Sequence, residues 1–218
     1  NNNDTQSSRG DLAMSLFDTY SKVSREKKYE LFLGLMKPKD SEIILDVGAG
    51  PGTFLENKYD KKQNIIALDI NNELLKKLKK KHPEVKVCRA SGLRLPFKPK
   101  SIDIIFSNAV IEHVGGPENY KKFAEEIQRV AKKWFITTPN KWFPFEPHFR
   151  LPLYQFVPKK IQKILSKYIS VGKYQKGNWQ DIHLLSSRQL KKLFPESKII
   201  KQKITIYPET LICYGGDP

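Results

Sequence analysis

The segment ILDVGAGPGTF, residues 44–54, decides the fold of this chain. A short apolar, β-branched run from Ile43 to Val47 is followed at once by a turn rich in glycine. This order predicts a buried parallel strand, a tight turn and the start of a helix. Glycine is needed in such a turn where the backbone must approach a ligand closely. Alone, the turn is weak evidence for any one ligand, because dinucleotide-binding enzymes contain similar turns.

The composition of this turn favours a ligand with a cationic amino-acid end over a pyrophosphate. Asp46 precedes the glycines, and its carboxylate would repel phosphate but pair with an ammonium group. Pro51 lacks the backbone N–H that a phosphate cradle would use. Asp69 ends the next apolar run, 19 residues after Gly50, where a carboxylate can hold a ribose diol. Asp69 is also placed to cap the helix that follows, and the two roles are compatible.

Outward from this segment, short apolar runs alternate with amphipathic helices. Strands are predicted at 43–47, 64–70, 85–88, 102–107 and 134–138, and helices at 71–81 and 120–131. The alternation and the short links predict a doubly wound α/β sheet. After Pro139 the rhythm breaks, and it resumes with a helix at 186–194 and strands near 198–206 and 209–214.

The length of 218 residues fits one compact domain. We expect a disordered tail at 1–10 and a single domain over 11–218, with N-terminal helices at 11–37, broken into two, and an insert at 140–180. No apolar run is long enough to span a membrane, and no secretory signal is visible. Two cysteines far apart in apolar runs fit buried thiols in a reducing compartment, which predicts a cytoplasmic protein.

The charge balance points to an anionic partner without identifying it. Lys and Arg number 39 against 23 Asp and Glu, a net charge of +16. Such a balance fits RNA, DNA or an anionic membrane surface. Scattered lysine in place of arginine, however, is more typical of a solvated surface than of specific phosphate or base recognition. Nucleic acid is therefore less favoured than a small-molecule partner, and peripheral membrane contact stays open.

Four segments together resemble the class I S-adenosylmethionine-dependent methyltransferases of the small-molecule type, the methyltransferase domain 11-like superfamily. They are ILDVGAGPGTF, Asp69, ASGLRLPF (residues 90–97) and SIDIIFSNAVIEHV (residues 101–114). The resemblance covers roughly residues 30–140 well. It implies S-adenosyl-L-methionine as cofactor and a Rossmann-like, doubly wound seven-stranded sheet with its last strand antiparallel and helices on both faces. The insert at 140–180 would then follow strand 5 as an aromatic, proline-rich lid.

The resemblance also implies which residues hold the cofactor. Asp46 and the glycines would line its methionine end, and Asp69 would hold the ribose hydroxyls. Most relatives have Asp where Ser91 stands, and we expect this departure to weaken contact with the adenine amino group. The complete expected set is Asp46, Gly48, Ala49, Gly50, Gly52, Asp69, Ile70, Ser91, Gly92, Leu93, Asn108 and Ala109.

Methyl transfer to a hydroxyl needs alignment and usually a base, a role that suits histidine near neutral pH. His148 and His183 are the candidate catalytic residues, because each has an acid two positions before it that could orient its ring. A structural or surface role is the alternative for both. Glu112-His113 resembles an E-x-x-E-H metal motif, but Ala109 replaces the first acid, so no metal is expected.

Aromatic residues and prolines crowd residues 142–158, and a lysine-rich amphipathic helix follows at 159–169. The insert is either an ordinary cover on the sheet or a lid over an apolar or planar acceptor. The helix is either a solvated face or a contact for an anionic bilayer, such as an inner membrane surface. We expect His113, Trp142, Phe145, Phe149 and Tyr154 to contact the acceptor.

Three functions remain open at this point. The first is methylation of a small molecule, most readily on an oxygen of a glycan, a lipid-linked intermediate or a related metabolite. The second is an RNA or protein methyltransferase that uses the basic surface. The third is a cofactor-binding module without activity. Nothing in the sequence fixes the acceptor or the oligomeric state.

Overall fold

The computed structural model describes residues 3–52 (side chains from residue 19), 59–146 (Glu146 by its backbone), 148, 151–168 and 179–216. The chain divides into two compact units, residues 1–38 and residues 39–218. The first unit holds helix α1 (Asn3–Met36) and the second holds the sheet. The structure sets α1 apart as its own unit. The expected tail at 1–10 and the single domain at 11–218 stay predictions.

Helix α1 is continuous, which differs from the two helices predicted after a disordered tail. No proline lies between Asn3 and Met36, and Gly10 and Gly34 cost only about 1 kcal/mol each inside a helix. The helix ends where Lys37, with a φ of 43°, precedes Pro38. The predicted break inside this helix was therefore wrong.

A seven-stranded sheet forms the second unit, in the order β3-β2-β1-β4-β5-β9-β8. Its strands are β1 (Ile44–Val47), β2 (Ile65–Asp69), β3 (Lys86–Arg89), β4 (Ile102–Asn108), β5 (Ala131–Pro139), β8 (Lys198–Lys203) and β9 (Pro208–Gly216). The last strand, β9, is antiparallel to both β5 and β8, and the other pairs are parallel. The predicted Rossmann-like sheet with an antiparallel last strand is confirmed.

Helices α2 (Asn72–Lys81), α3 (Pro117–Val130) and α5 (Ser187–Leu193) connect the strands. The Asn71 side chain caps α2 by accepting from the backbone of Glu73 and Leu74, and a Ser186–Gln189 capping box starts α5. Helix α3 buries one stripe against the sheet, formed by Tyr120, Phe123, Ala124, Ile127 and Val130. All four residues of β1 are buried, as expected for a central strand of a parallel sheet, whose two faces are both covered.

The insert after β5 contains a short hairpin and a helix. Strands β6 (Phe145–Glu146) and β7 (Leu151–Pro152) pair, a 3₁₀ turn follows at Tyr154–Phe156, and helix α4 spans Lys159–Tyr168. The position of the insert is as predicted, and its action as a lid stays a prediction. No helix in the described residues is long and apolar enough to cross a bilayer.

Helix α4 buries polar residues and exposes apolar ones, the reverse of an ordinary surface helix. Its buried residues are polar, Gln162 and Ser166, and the Gln162 amide donates to the carbonyls of Tyr154 and Val157 at 3.0 and 2.8 Å. Its exposed residues include an apolar stripe at helical spacing, which consists of Ile161, Ile164, Leu165 and Tyr168. Lys160, Lys163 and Lys167 are exposed on the same helix. The α4 stripe is thus apolar surface that the described fold does not cover.

Candidate active site

A pocket of about 380 Å³ opens at the carboxyl ends of β1, β2, β3 and β4. It lies where the strand order reverses between β1 and β4, which is where open α/β sheets bind ligands. Its wall consists of Val47, Gly48, Leu68, Asp69, Ile70, Ala90, Ser91, Gly92, Leu93, Ala109, Val110, His113 and Val114.

The glycine turn after β1 forms one side of the pocket. Gly48 and Gly50 both have left-handed backbone, with φ of 79° and 63°. The N–H groups of Gly48 and Ala49 donate to the Leu68 carbonyl, which ties the turn to β2. A Cβ atom at Gly48 would lie 2.3 Å from Cγ2 of Val110, so a larger residue does not fit there.

We expect Gly48→Ala to lower the free energy of unfolding by about 2–5 kcal/mol. About 1–2 kcal/mol comes from the left-handed backbone, and the rest from the collision with Val110. Gly50→Ala is the matched control, because nothing lies within 4 Å of its Cβ position and only the backbone contribution applies. Denaturant unfolding measures both, and adding Val110→Ala to Gly48→Ala should restore the steric part. Equal losses for the two glycines would contradict this explanation.

Asp69 ends β2 with its carboxylate on the pocket wall. One oxygen accepts from the backbone N–H of Gly50 at 2.9 Å, and the other accepts from the N–H of Asn71 at 2.8 Å. Each carboxylate oxygen can accept more than one hydrogen bond, so this group keeps capacity for two ligand hydroxyls. Ile70, beside it, is 70% exposed and lines the pocket, which gives an apolar surface for a planar base.

The opposite wall is the loop that follows β3. Gly92 is required there because a Cβ would lie 2.9 Å from the Phe123 ring. Ser91 Oγ accepts from the Leu93 N–H at 3.2 Å, so this serine shapes the turn. Adjacent to the pocket, Glu126 accepts from the Leu95 N–H at 2.6 Å.

Arg129 completes the attachment of this loop to α3. Its guanidinium donates to the carbonyls of Leu95 and Phe97 and pairs with Glu126 at 2.6 Å. The hydrogen bond and charge of Arg129 hold the pKa of the Glu126 carboxyl below its usual range despite partial burial. The sequence reasoning missed this pair, although the i, i+3 spacing of an acid and a base on a helix was a usable signal.

The end of β4 supplies the third side. Thr137 Oγ1 donates to Asn108 Oδ1 at 2.7 Å, which fixes the amide beside the pocket. Ala109, on the pocket wall, has a φ of 58°, a conformation that non-glycine residues rarely adopt. Its N–H donates to the Thr137 carbonyl at 2.9 Å. Strain of this kind clusters at ligand sites.

The structure brings part of the expected cofactor set onto the pocket wall. The members on the wall are Gly48, Asp69, Ile70, Ser91, Gly92, Leu93 and Ala109. Among the described residues, the wall does not include Asp46, Ala49, Gly50, Gly52 and Asn108. Asp46 is buried within β1, 2% exposed. Gly50 is not on the wall itself, but its backbone N–H donates to the Asp69 carboxylate. Sequence reasoning missed Val47, Leu68, Ala90, Val110 and Val114, since ordinary apolar residues carry no ligand signature.

The side chains of Glu112, His113 and His148 lie close together at the rim of the pocket. Glu112 is fully buried, and its Oε2 accepts from Thr138 Oγ1 at 2.9 Å. Its Oε1 lies 4.0 Å from Nε2 of His148. The rings of His113 and His148 pack edge to face with centroids 4.9 Å apart. His148 from the insert therefore contacts His113 on the pocket wall, and its catalytic role stays a prediction.

His183 is held in a different network. Its Nε2 pairs with Asp181 at 2.9 Å, and Asp181 also pairs with Lys159 at 3.2 Å. Burial opposes ionisation of Asp181, but hydrogen bonds from His183 and Lys159 outweigh it and lower the pKa of this carboxyl. The His183 backbone donates to the Glu112 carbonyl at 3.1 Å, yet its side chain is not on the described pocket wall.

The predicted acceptor contacts fall into different environments. Trp142 and Phe145 are exposed, at 65% and 47%. Tyr154, in contrast, is buried with Ile182, and its hydroxyl faces the Gln162 carbonyl at 3.5 Å. Tyr154 therefore packs within the insert, and its contact with an acceptor stays a prediction. Phe149 lies outside the described residues.

Comparison with known proteins shows which family the segment that forms this pocket resembles. Residues 45–134, which include the glycine turn, Asp69 and the end of β4, match a family model described as a methyltransferase domain. A probable S-adenosylmethionine-dependent methyltransferase of Mycobacterium tuberculosis is 23% identical over 131 residues, 59% of this chain and 47% of that protein. Over residues 45–134 the chain is therefore similar to the S-adenosylmethionine-dependent methyltransferases. S-adenosylmethionine is the cofactor of this family.

Two further matches are to a curated protein and to a solved structure. An uncharacterized protein of Methanocaldococcus jannaschii is 37% identical over 118 residues, 53% of this chain and 48% of that protein. The crystal structure of a methyltransferase from Methanosarcina mazei superposes with a TM-score of 0.57 at 15% identity, over 81% of this chain and 92% of that one. The second likeness shows the fold alone. The matches span about half the length, or less, of these curated relatives.

The residues of this pocket fit S-adenosylmethionine. Asp69 is anchored by two backbone N–H groups and keeps acceptor capacity for a ribose diol. Ile70 gives an exposed apolar surface for the adenine. A side chain at Gly48 would collide with Val110, so only glycine keeps this wall of the pocket open. When bound, the cofactor supplies a sulfonium methyl group, and these residues bind and orient it.

Proposed function

We propose that this methyltransferase transfers a methyl group to a hydroxyl oxygen of a small acceptor that is a glycan, a lipid-linked intermediate or a related metabolite. The oxygen lone pair forms the new O–C bond while the C–S bond breaks and its electron pair stays on sulfur. The products are a methyl ether, S-adenosylhomocysteine and one proton. Proximity and in-line alignment account for most of the acceleration in such displacements.

The imidazoles at the rim of the pocket are placed to accept the proton of the acceptor hydroxyl. His113 lies on the pocket wall, and His148 contacts it from the insert. Nε2 of His148 lies 4.0 Å from one oxygen of the buried Glu112 carboxylate, whose other oxygen accepts a hydrogen bond from Thr138. An imidazole with a nearby carboxylate is the usual arrangement for a general base near neutral pH.

The observation that carries the acceptor class is the exposed apolar surface of the insert. Large exposed apolar side chains concentrate between residues 142 and 168, namely Trp142, Phe145, Leu151, Leu153, Phe156, Ile161, Ile164, Leu165 and Tyr168. Polar Gln162 and Ser166 are buried on α4 while the α4 stripe is exposed. Apolar surface of this extent marks a ligand or membrane contact, and the exposed lysines of α4 favour an anionic bilayer. The insert would then act as a lid that meets a lipid-linked acceptor at a membrane surface, such as the cytoplasmic face of an inner membrane.

The test uses S-adenosylmethionine labelled on its methyl group, the purified chain and a heat-treated cell lysate with added anionic vesicles. We expect label in the organic-soluble or small-glycan fractions, and none in a blank with the Asp69→Ala chain. Label that nuclease or protease removes would overturn the proposal and favour an RNA or protein acceptor bound by the basic surface.

In the same assay, the double change Ile161→Glu and Ile164→Glu should lower the labelling of an organic-soluble acceptor by about 10-fold or more, because each aliphatic side chain contributes roughly 1.5–3 kcal/mol when it leaves water. Ile206→Glu is the matched control, since Ile206 is 86% exposed and lies outside the insert. Equal effects at the two places would contradict a role for the α4 stripe.

A further inference from the structure

We propose that Glu112, His113 and His148 form a binding site for a divalent transition-metal ion at the rim of the pocket. These residues offer one carboxylate oxygen and two imidazole nitrogens, and the three ligand atoms all lie within 4.8 Å of one another. Two come from the turn after β4 and one from the insert after β5. From the sequence we expected no metal, because Ala109 replaces the first acid of a known motif. The sequence does not show that the insert brings His148 next to Glu112 and His113 as a third ligand.

The distances are close to those that an ion requires. Nε2 of His148 and Oε1 of Glu112 are 4.0 Å apart. Ligand atoms at about 2.1 Å from one ion in a tetrahedral arrangement lie roughly 3.4 Å from one another. An ion would therefore draw the three side chains together by about 1 Å, which rotation of the imidazole rings can supply. His113 is exposed, so the site is open to solvent and to the pocket.

Charge and support by neighbours agree with this assignment. The Glu112 carboxylate is fully buried, and a buried carboxylate is stabilised by a cation close to it. Thr138 Oγ1 donates to the second oxygen of Glu112 at 2.9 Å, which fixes the orientation of the carboxylate. Metal-ligating carboxylates are commonly held by such a hydrogen bond.

The donor set selects among metals. Two imidazoles and one carboxylate suit Zn²⁺, Co²⁺, Fe²⁺ and Mn²⁺, whereas Mg²⁺ prefers oxygen ligands. Three protein ligands leave one or more positions for a water or an acceptor hydroxyl. Since a bound cation lowers the pKa of a hydroxyl beside it, the ion would replace a free imidazole as the group that makes the acceptor nucleophilic. This role rests on the proposed function, whereas metal binding does not.

The test titrates Co²⁺ into the chelator-treated, desalted chain and follows its visible absorption and the bound metal per chain. We expect about one Co²⁺ per chain in the unchanged protein and at least about a 10-fold loss of affinity in His113→Ala, His148→Ala and Glu112→Gln. His183→Ala is the matched control and should bind Co²⁺ as the unchanged chain does. Thermal melting shows whether each variant is folded, and the exposed position of His113 makes His113→Ala the safest of the three.

Absence of Co²⁺ binding, or equal binding in His113→Ala and the unchanged chain, would overturn the metal site. Methyl transfer in the chelated protein then separates the two proposals. Transfer without metal binding would leave the proposed function with imidazole as base. Metal binding without transfer to any small acceptor would retain the site and reject the proposed function.

Discussion

Replacement of Asp69 by alanine is expected to weaken the binding of S-adenosylhomocysteine by about 100-fold or more. The change removes a charged acceptor for two ribose hydroxyls, and hydrogen bonds to charged groups contribute about 1.5–3 kcal/mol each. It also removes the acceptor that holds the N–H groups of Gly50 and Asn71 at 2.9 and 2.8 Å, so the turn and the start of α2 loosen together. Isothermal titration calorimetry measures the affinity directly.

Two further variants separate binding from folding. Asp69→Asn keeps the side-chain volume and one carbonyl acceptor, but its NH2 group replaces the oxygen that accepts from one of the two backbone N–H groups. We therefore expect an intermediate loss of affinity and a modest fall in the melting temperature. Glu73→Gln removes a nearby exposed carboxylate that pairs with Lys76 at 2.8 Å outside the pocket wall, and it should leave the affinity unchanged. Unaltered S-adenosylhomocysteine affinity in folded Asp69→Ala would reject the ribose assignment.

Replacement of His148 by alanine is expected to lower the turnover number by about 100- to 10,000-fold, the usual contribution of a proton-transfer group. The affinity for S-adenosylhomocysteine should change by less than about 3-fold, because among the described residues His148 contacts the rim residues Glu112 and His113 rather than lining the cofactor pocket. The loss is expected whether the imidazole acts as a base or as a metal ligand. Steady-state rates with the acceptor identified by labelling provide the measurement.

His183→Ala gives the comparison, since the sequence offered both histidines for one role. The His183 ring is engaged by Asp181 at 2.9 Å and is not on the described pocket wall, so we expect a smaller loss of turnover. A larger loss in His183→Ala than in His148→Ala would move the proton-transfer role to the Asp181–His183 pair. An unchanged rate in His148→Ala would remove this residue from the chemistry.

Much of the fold was predictable from local patterns. The apolar, β-branched composition of the β1 segment predicted a central strand buried on both faces, and all four of its residues are buried. The glycine turn and Asp69 lie where the predicted strands end, so their approach at one edge of the sheet followed from parallel pairing alone. The α1 helix shows the limit, because its weak periodicity predicted a break that no residue in it requires.

The candidate site was predictable in proportion to how unusual its residues are. Glycine and a single carboxylate at a strand end carry a recognisable pattern, whereas Val110 and Val114 are ordinary apolar residues whose place on the wall depends on the turn after β4. The sequence does not show whether the Tyr154 side chain packs inward or outward, because an aromatic residue in an insert fits both arrangements. Only the contacts of Gln162 and Ile182 decide that it packs inward.

The sequence by itself determined the sheet and the carboxylate that faces the pocket, because each depends on periodicity or on residues close together in the chain. Its resemblance to a known family predicted the cofactor. The tertiary structure decided which histidine joins Glu112 and His113, and that α4 exposes its apolar side. Both depend on contacts between segments far apart in sequence, such as residues 112 and 148 or 138 and 112. Local propensity carries no information about such pairings, since they arise only when the insert folds back onto the ends of the strands.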